Sequence, residues 1–112
     1  MSKIPSYQPV LTLSCASITD IPEERVVEYD GRLCRGNYRA LGVSEISTLS
    51  GEIAPIIAIG TALVLANETI NIGAEIASDE FGRAINYTSG TINAIALSSA
   101  VAGEYVKVLL KF

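Results

Sequence analysis

Two cysteines, Cys15 and Cys34, and twelve acidic side chains are the residues of this chain best suited to covalent or acid–base chemistry. A cysteine nucleophile is usually activated by histidine, and the 112 residues include no histidine. Ser-His-Asp triads, Cys–His pairs and zinc sites with imidazole ligands are therefore excluded, and two thiolates are too few for an all-cysteine zinc site. We interpret Cys34 as a small buried hydrophobe and both cysteines as buried or free thiols, with a disulfide between Cys15 and Cys34 as the alternative that the sequence leaves open. The sequence thus predicts no catalytic residues, no metal, no cofactor and no enzymatic activity.

Acidic side chains cluster between residues 20 and 30, at Glu23, Glu24, Glu28 and Asp30. Carboxylate oxygens of this kind are ligands for divalent cations, but the cluster lacks the alternating acidic positions of a calcium loop. We interpret it as a solvated face or as one side of a salt bridge between subunits. A second acidic pair, at residues 79–80, is interpreted as a polar turn, and Glu104 is expected to pair with Arg83 or Arg32.

The overall charge and hydropathy exclude two classes of partner. Eight Lys and Arg against twelve Asp and Glu give a net charge of −4, with no basic cluster, so we expect no nucleic-acid binding. The best apolar run, residues 53–67, contains Pro55 and Gly60 and is shorter than the roughly 18 residues of a membrane-spanning helix, so we expect no membrane insertion. Hydrophobic residues make up 49% of the chain and charged residues 18%. The surplus of apolar surface predicts burial against another subunit or protein.

Short β-branched runs separated by glycine dominate the chain from residue 26 onward. Turn signals at this regular spacing are typical of a β-sandwich or β-barrel. Asp30-Gly31 is the strongest tight-turn signal because glycine tolerates a positive φ. Residues 53–66 also have partial helical spacing, but Pro55 and Gly60 interrupt a helix, and we predict strand there. The predicted strands are residues 26–29, 32–35, 38–47, 52–59, 61–66, 74–78, 83–87, 91–98 and 104–111.

The first twenty residues are predicted to form an extended N-terminal arm, followed by a single β-domain over residues 21–112. Proline disfavours helix in the arm, and the weak alternation of residues 10–15 fits an edge strand. Tyr7, an aromatic residue in a proline-flanked segment, is either an anchor for a partner's pocket or part of a tail without contacts. We predict that the arm contacts a partner protein or another subunit through five residues: Tyr7, Pro9, Val10, Leu11 and Leu13.

A faint internal repeat is visible in the order of turns and strands. Residues 30–32 precede a Gly-Glu pair at 51–52 and an apolar run, and residues 81–83 precede a Gly-Glu pair at 103–104 and a second apolar run. Two interpretations remain open at this point. Hairpins of similar length reuse the same turn residues, or the chain is a pseudo-symmetric barrel built from two similar halves.

The order of several motifs resembles that of the small capsid decoration, or cement, proteins of tailed bacteriophages. The segment at residues 73–84 reads GAEIASDEFGRA, and it is followed by AIALSSA at 94–100 and AGEYVKVLL at 102–110. Upstream, the motifs DGR at residues 30–32, ALGV at 40–43 and SGE at 50–52 fall in the same order as in that family. The resemblance covers residues 26–112, and residues 1–20 match the family pattern least.

This resemblance implies an all-β fold, a compact antiparallel β-barrel or sandwich of the β-tulip or jelly-roll kind with an extended N-terminal arm. It also implies a structural role. Such proteins are made in the cytoplasm of the bacterial host and bind the outer surface of the icosahedral head between major capsid subunits, as dimers or trimers, and stabilise the shell. The expected partners are therefore the major capsid protein and further copies of this chain.

Two alternatives belong to other classes. The chain is another virion part, such as a head fibre base or a tail component, or it is a carrier domain of the lipoyl or biotinyl type. Residues 71–76 resemble a strand–turn–strand element of the carrier fold. The exposed hairpin lysine that such domains modify is missing, because lysine occurs only at positions 3, 107 and 111.

Overall fold

The computed structural model describes residues 9–36 and 39–111, and of Lys111 it describes the backbone alone. This part of the chain contains eight β-strands. Every pair of neighbouring strands is antiparallel, so the prediction of an all-β, barrel-like antiparallel fold is confirmed. The described residues contain no helix that is long and apolar enough to cross a membrane. The strands are β1 (Pro9–Ala16), β2 (Val26–Glu28), β3 (Ala40–Ser44), β4 (Ile53–Leu65), β5 (Glu75–Ser78), β6 (Ala84–Asn86), β7 (Ala94–Ala96) and β8 (Tyr105–Lys111).

The strand β4 is the centre of a single sheet with the order β2-β3-β4-β8-β7-β5-β6, and β1 pairs with β4 outside this path. Ile57 has a partner in both β1 and β3, and Ile59 has a partner in both β1 and β8. β1 therefore lies along one side of β4, and β3 and β8 lie in succession along the other. The predicted break at Gly60 is wrong, because this residue pairs with Pro9 of β1 and Leu110 of β8 and the strand continues through it, although its φ of 113° is one that glycine tolerates.

Three other predicted strands are shorter in the structure: 38–47 contracts to β3, 91–98 contracts to β7, and 32–35 retains one isolated bridge between Val27 and Leu33. Side chains explain the loss of the strand at 32–35. The backbone N–H of Arg35 donates to the Glu28 carboxylate (2.9 Å), and that of Leu33 donates to the Thr19 hydroxyl (3.2 Å). These side-chain bonds take up N–H groups that a further strand would need, while two backbone bonds to β2 remain, from Cys34 N–H to Val26 O and from Glu28 N–H to Arg32 O.

The core is aliphatic and joins residues from most of the sheet. Its main cluster runs from Val26 and Val43 on one side to Val106 and Leu110 on the other, and a smaller cluster surrounds Ile56. Alanine is frequent at the buried positions, so the strands approach one another closely, and few bulky side chains are needed to fill the interior. The largest fully buried side chains include Ile21, Ile56, Ile57, Ile70, Ile76, Val27, Val43, Val64, Val106 and Val108.

Two similar repeats share β4, and this favours the second interpretation of the sequence pattern. The first repeat consists of β1, β2, β3 and the first half of β4, and the second consists of the rest of β4 with β5, β7 and β8. The two repeats have the same strand registers. The Cα pair Val26–Val43 of the first repeat corresponds to Glu75–Ile95 of the second. In the same way, Val27–Gly42 corresponds to Ile76–Ala94, Val43–Ile57 to Ile95–Leu109, and Ser44–Ile56 to Ala96–Val108.

The turns repeat with the strands. The carboxylate of Glu52 accepts a bond from the N–H of Leu49, and that of Glu104 accepts one from the N–H of Val101, both at 3.1 Å. These matching bonds stabilise the Gly-Glu turn ahead of each apolar strand. The expected pairing of Glu104 with an arginine is wrong, because its side chain is used within its own turn.

The equivalence of the repeats also explains a strained residue. Glu24 has a φ of 59°, and its N–H donates to Ser44 O, whereas at the corresponding position Gly73 has a φ of 86° and donates to Ala96 O. The repeat therefore requires a residue with a left-handed backbone conformation at this turn. That conformation costs a residue other than glycine about 1–2 kcal/mol. Only the second repeat meets the requirement with glycine.

Candidate functional site

The most exposed apolar element of the described chain is the edge strand β1. Seven of its eight residues are exposed and the remaining one is half-buried. Val10 is 78% exposed, Leu11 40% and Leu13 37%, and the adjacent Ile59 of β4 is 36% exposed. We call these four side chains the β1 strip. An uncharged apolar strip on an edge strand is typical of a surface that pairs with another chain.

The backbone of β1 has an unpaired side. Ser17 N–H donates to Glu52 O at 2.9 Å. Counted back from Ser17, every second residue of β1 therefore directs its N–H and C=O groups toward β4. Thr12 and Ser14 then direct theirs away, and Ser14 lies opposite Pro55, which has no N–H to offer. No described strand pairs with that outer side. The N–H and C=O groups of Thr12 and Ser14 are therefore available to a strand from another molecule.

The end of β1 is held against the domain by the turn at Asp30-Gly31. Gly31 has a φ of 88°, and a Cβ built on it would lie 2.0 Å from the carbonyl oxygen of Ala16. Its own carbonyl accepts a bond from Ile18 N–H at 2.9 Å. The predicted tight turn is confirmed, and the close approach positions β1 on the sheet.

Four of the five predicted contact residues lie together in β1, at Pro9, Val10, Leu11 and Leu13. Tyr7 lies outside the described residues. The predicted arm thus includes a strand that pairs with β4 from Pro9 to Ala16. The sequence pattern did not indicate Ile59, which lies within the predicted strand 52–59 and joins the strip only because β1 pairs with β4 and places Leu11 beside it.

Neither Cys15 nor Cys34 forms a disulfide, and the two differ in burial. Cys34 is fully buried, as predicted. Cys15 is half-buried, and partial burial, followed by the negative charge of Asp30, raises the pKa of its thiol above the ordinary value. A thiol with a raised pKa is a poorer nucleophile at neutral pH than an ordinary one.

Two members of the acidic cluster, Glu28 and Asp30, form ion pairs within the chain, and the interpretation as a solvated face is wrong for Glu24 and Glu28, which are both buried. Both oxygens of the Glu28 carboxylate accept bonds from the Arg35 guanidinium at 3.0 Å, and Asp30 pairs with Arg32 at 3.1 Å. In the described part of the chain, no group of three or more His, Cys, Asp or Glu side chains has the arrangement of a metal site.

The predicted polar turn at 79–80 is built in a similar way. One oxygen of Asp79 accepts bonds from the N–H groups of Phe81 (2.9 Å) and Arg83 (2.8 Å), and the other accepts one from Arg83 Nε (2.7 Å). Arg83 is thereby paired with its own turn and is not available to Glu104.

Comparison with known proteins identifies a related fold but no family. No protein-family model matches the chain, and no curated protein matches its sequence. A solved structure with a similar fold is the N base of the head fiber gp8.5 in bacteriophage phi29, with a TM-score of 0.76 and 14% sequence identity. The match covers 90% of this chain and 93% of that chain. At this identity the likeness shows the fold, and it extends over nearly the whole of both chains.

Proposed function

We propose that this protein is a structural component of a tailed-phage virion that binds the outer surface of the head. The observation that carries the proposal is the match of almost its entire fold to the base of a phage head fiber. The order of motifs that resembles capsid decoration proteins supports the same location independently. The free edge and apolar side chains of β1 supply a surface suited to attachment.

Attachment through the β1 strip uses two kinds of contact with the major capsid protein. A capsid strand adds to the sheet through the outward N–H and C=O groups of Thr12 and Ser14, and the strip buries apolar surface beside it. Repetition of the contact over the symmetric head, through a dimer or trimer of this chain, converts modest individual affinity into stable occupancy.

Two roles are compatible with this surface. A cement protein binds between capsid subunits and stabilises the shell, whereas a fibre base binds at the same kind of place and carries a projection. The resemblance in sequence favours the first role, and the solved neighbour favours the second.

Co-sedimentation with expanded heads of the phage that encodes this protein tests the proposal. The variant Thr12→Pro removes an outward N–H without removing a bond to β4, and proline is tolerated at such edge positions. We expect this variant and the double variant Val10→Lys, Leu11→Lys to bind about tenfold more weakly or worse, because the first lacks a donor and the second buries charge. The control is Ile72→Lys, which replaces a 68% exposed side chain outside β1.

Four results are informative. Binding that raises the disruption temperature of the heads supports the cement role, and binding without a change in that temperature supports the fibre-base role. Absence of the folded wild-type protein from the sedimented heads refutes attachment altogether. Equal binding by all variants refutes the assignment of β1.

A further inference from the structure

Each of the two repeats begins with an equivalent strand. The register of β1 against the first half of β4 is also the register of the second half of β4 against β8. The matching pairs run from Thr12–Ile57 to Ala16–Ile53 in the first repeat and from Thr61–Leu109 to Leu65–Tyr105 in the second. The next backbone bond matches as well. Ser17 N–H donates to Glu52 O at 2.9 Å, and its counterpart Ala66 donates to Glu104 O at 2.8 Å.

The two equivalent strands differ in what covers them. In the second repeat, Leu63 is 2% exposed, and Leu65 N–H donates to Glu24 O of the first repeat at 3.0 Å. The corresponding residues of β1 are Ser14 and Ala16, and both are exposed. The N–H of Ala16 is directed away from β4, and no described strand pairs with that side of β1. The described chain therefore gives the second strand a neighbour that it does not give to β1.

The second repeat carries the acceptor that corresponds to Glu24 O. Its position is occupied by Gly73, which has the same left-handed backbone conformation and the same bond across the turn. Gly73 is exposed, and a Cβ built on it meets nothing within 4 Å. Its carbonyl oxygen accepts no hydrogen bond from the described residues. An accessible acceptor on one face of the molecule thus matches an accessible donor, Ala16 N–H, on another.

We propose that a second copy of this chain binds to β1 through its second repeat, in the way that the first repeat binds to the second half of β4. The carbonyl of Gly73 in one copy accepts a hydrogen bond from Ala16 N–H in the next. The outward groups of Thr12 and Ser14 remain available to the capsid. Because the two faces differ, each added copy offers a new face, and such a contact builds rings rather than closing after one pairing.

One bond between the repeats has no counterpart at β1. Gly82 O, at the turn after β5, accepts a bond from Val26 N–H of the first repeat at 2.8 Å. Gly31 O, at the turn after β2, instead accepts a bond from Ile18 of its own repeat at 2.9 Å. The contact between copies therefore has fewer bonds than the contact between repeats, and we expect it to be reversible.

Disulfide trapping between two separately purified variants tests the contact. Ala16→Cys and Gly73→Cys are each made together with Cys15→Ser, and Cys34 is kept because it is fully buried. We expect a disulfide-linked dimer when the two variants are mixed under mild oxidation, and none from either variant alone. The variant Glu24→Cys, Leu65→Cys is the positive control, because these residues make the equivalent contact within one chain.

Thr12→Cys, mixed with Gly73→Cys, is the matched control, because Thr12 lies on the same outward side of β1. We expect no dimer from this mixture. Equal trapping at Thr12 and Ala16, or no dimer with Ala16→Cys, would overturn the proposal. A dimer from Ala16→Cys alone would overturn it too, since this result indicates that two β1 edges pair symmetrically.

Sedimentation equilibrium provides a second measurement that needs no disulfide. Ala16→Pro removes the outward N–H without removing a bond to β4, and proline is tolerated at such edge positions. We expect this variant to stay monomeric at concentrations at which the wild type and Thr12→Pro associate. Association of Ala16→Pro equal to that of the wild type, or a wild type that stays monomeric, would contradict the proposal. No heads are used, so failure here is distinguishable from failure of attachment.

Discussion

Replacing Gly31 by alanine is expected to destabilise the protein far more than replacing Gly73 by alanine. Both glycines have nearly the same backbone conformation, with φ of 88° and 86°. They differ in their surroundings, because a Cβ on Gly73 meets nothing within 4 Å, whereas one on Gly31 lies 2.0 Å from Ala16 O and 3.1 Å from Ala16 C. The pair therefore separates the cost of backbone conformation from the cost of the contact that positions β1.

The expected magnitudes follow from these distances. Alanine in a left-handed conformation costs about 1–2 kcal/mol, and this is the whole effect at Gly73. At Gly31 the chain must also move apart by about 1 Å or more to reach van der Waals contact, and overpacking of this kind costs about 1–3 kcal/mol more. The bond from Ile18 N–H to Gly31 O (2.9 Å) is strained by the same movement. The total at Gly31 is about 2–5 kcal/mol, within the stability of a typical domain.

Urea and thermal unfolding, monitored by circular dichroism, measure both variants. At about 4 °C of Tm per kcal/mol, we expect Gly73→Ala to lower Tm by about 4–8 °C and Gly31→Ala by about 8–20 °C. Gly31→Ala is also expected to weaken binding to heads, because the displacement is transmitted to β1. Equal losses of stability in the two variants would show that Gly31 does not make a close contact with Ala16 and therefore does not position β1.

Three further predictions concern charged and titratable groups. Glu28→Gln is expected to cost about 1–2 kcal/mol in urea unfolding, because it removes the charge from the pair with Arg35, and a change below about 0.5 kcal/mol would contradict this. Asp79→Ala is expected to cost about 1–3 kcal/mol and Asp79→Asn less, since the amide oxygen still caps the turn; equal losses would argue against the cap. Alkylation of Cys15 by iodoacetamide is expected to be slow at neutral pH and to accelerate only as pH rises above the ordinary thiol pKa. Asp30→Asn is expected to lower the pKa and accelerate alkylation at fixed pH, and an unchanged rate would exclude the charge effect.

Several elements of the fold follow from local chemistry that the sequence displays. The turn at Asp30-Gly31 follows from glycine's tolerance of positive φ, and the terminal strand β8 follows from an uninterrupted β-forming run. The edge character of β1 was visible in its weak alternation and its nearby prolines. In each case, the local preference of the chain agrees with its place in the sheet, and for this reason the prediction is correct.

Other elements depend on partners that are distant in sequence. The continuity of β4 through Gly60 depends on β1 and β8, and the loss of strand structure at residues 32–35 depends on the carboxylate of Glu28 and the hydroxyl of Thr19. The predicted contact strip was incomplete for the same reason, since Ile59 joins it only through the pairing of β1 with β4. Hydrogen-bonding partners of this kind are invisible to an inspection of local pattern.

Composition and spacing alone predicted that the chain is all-β and showed that it has no histidine and too few cysteines for a four-thiolate zinc site. That its surplus of apolar residues is buried against another subunit or protein stays a prediction. These properties depend on side-chain inventory and on turn residues, which act locally. Only the tertiary structure decided that the two halves are equivalent repeats and that β1 keeps an unpaired edge. These features arise from strand register and from packing between residues far apart in the chain, which the order of residue types does not specify.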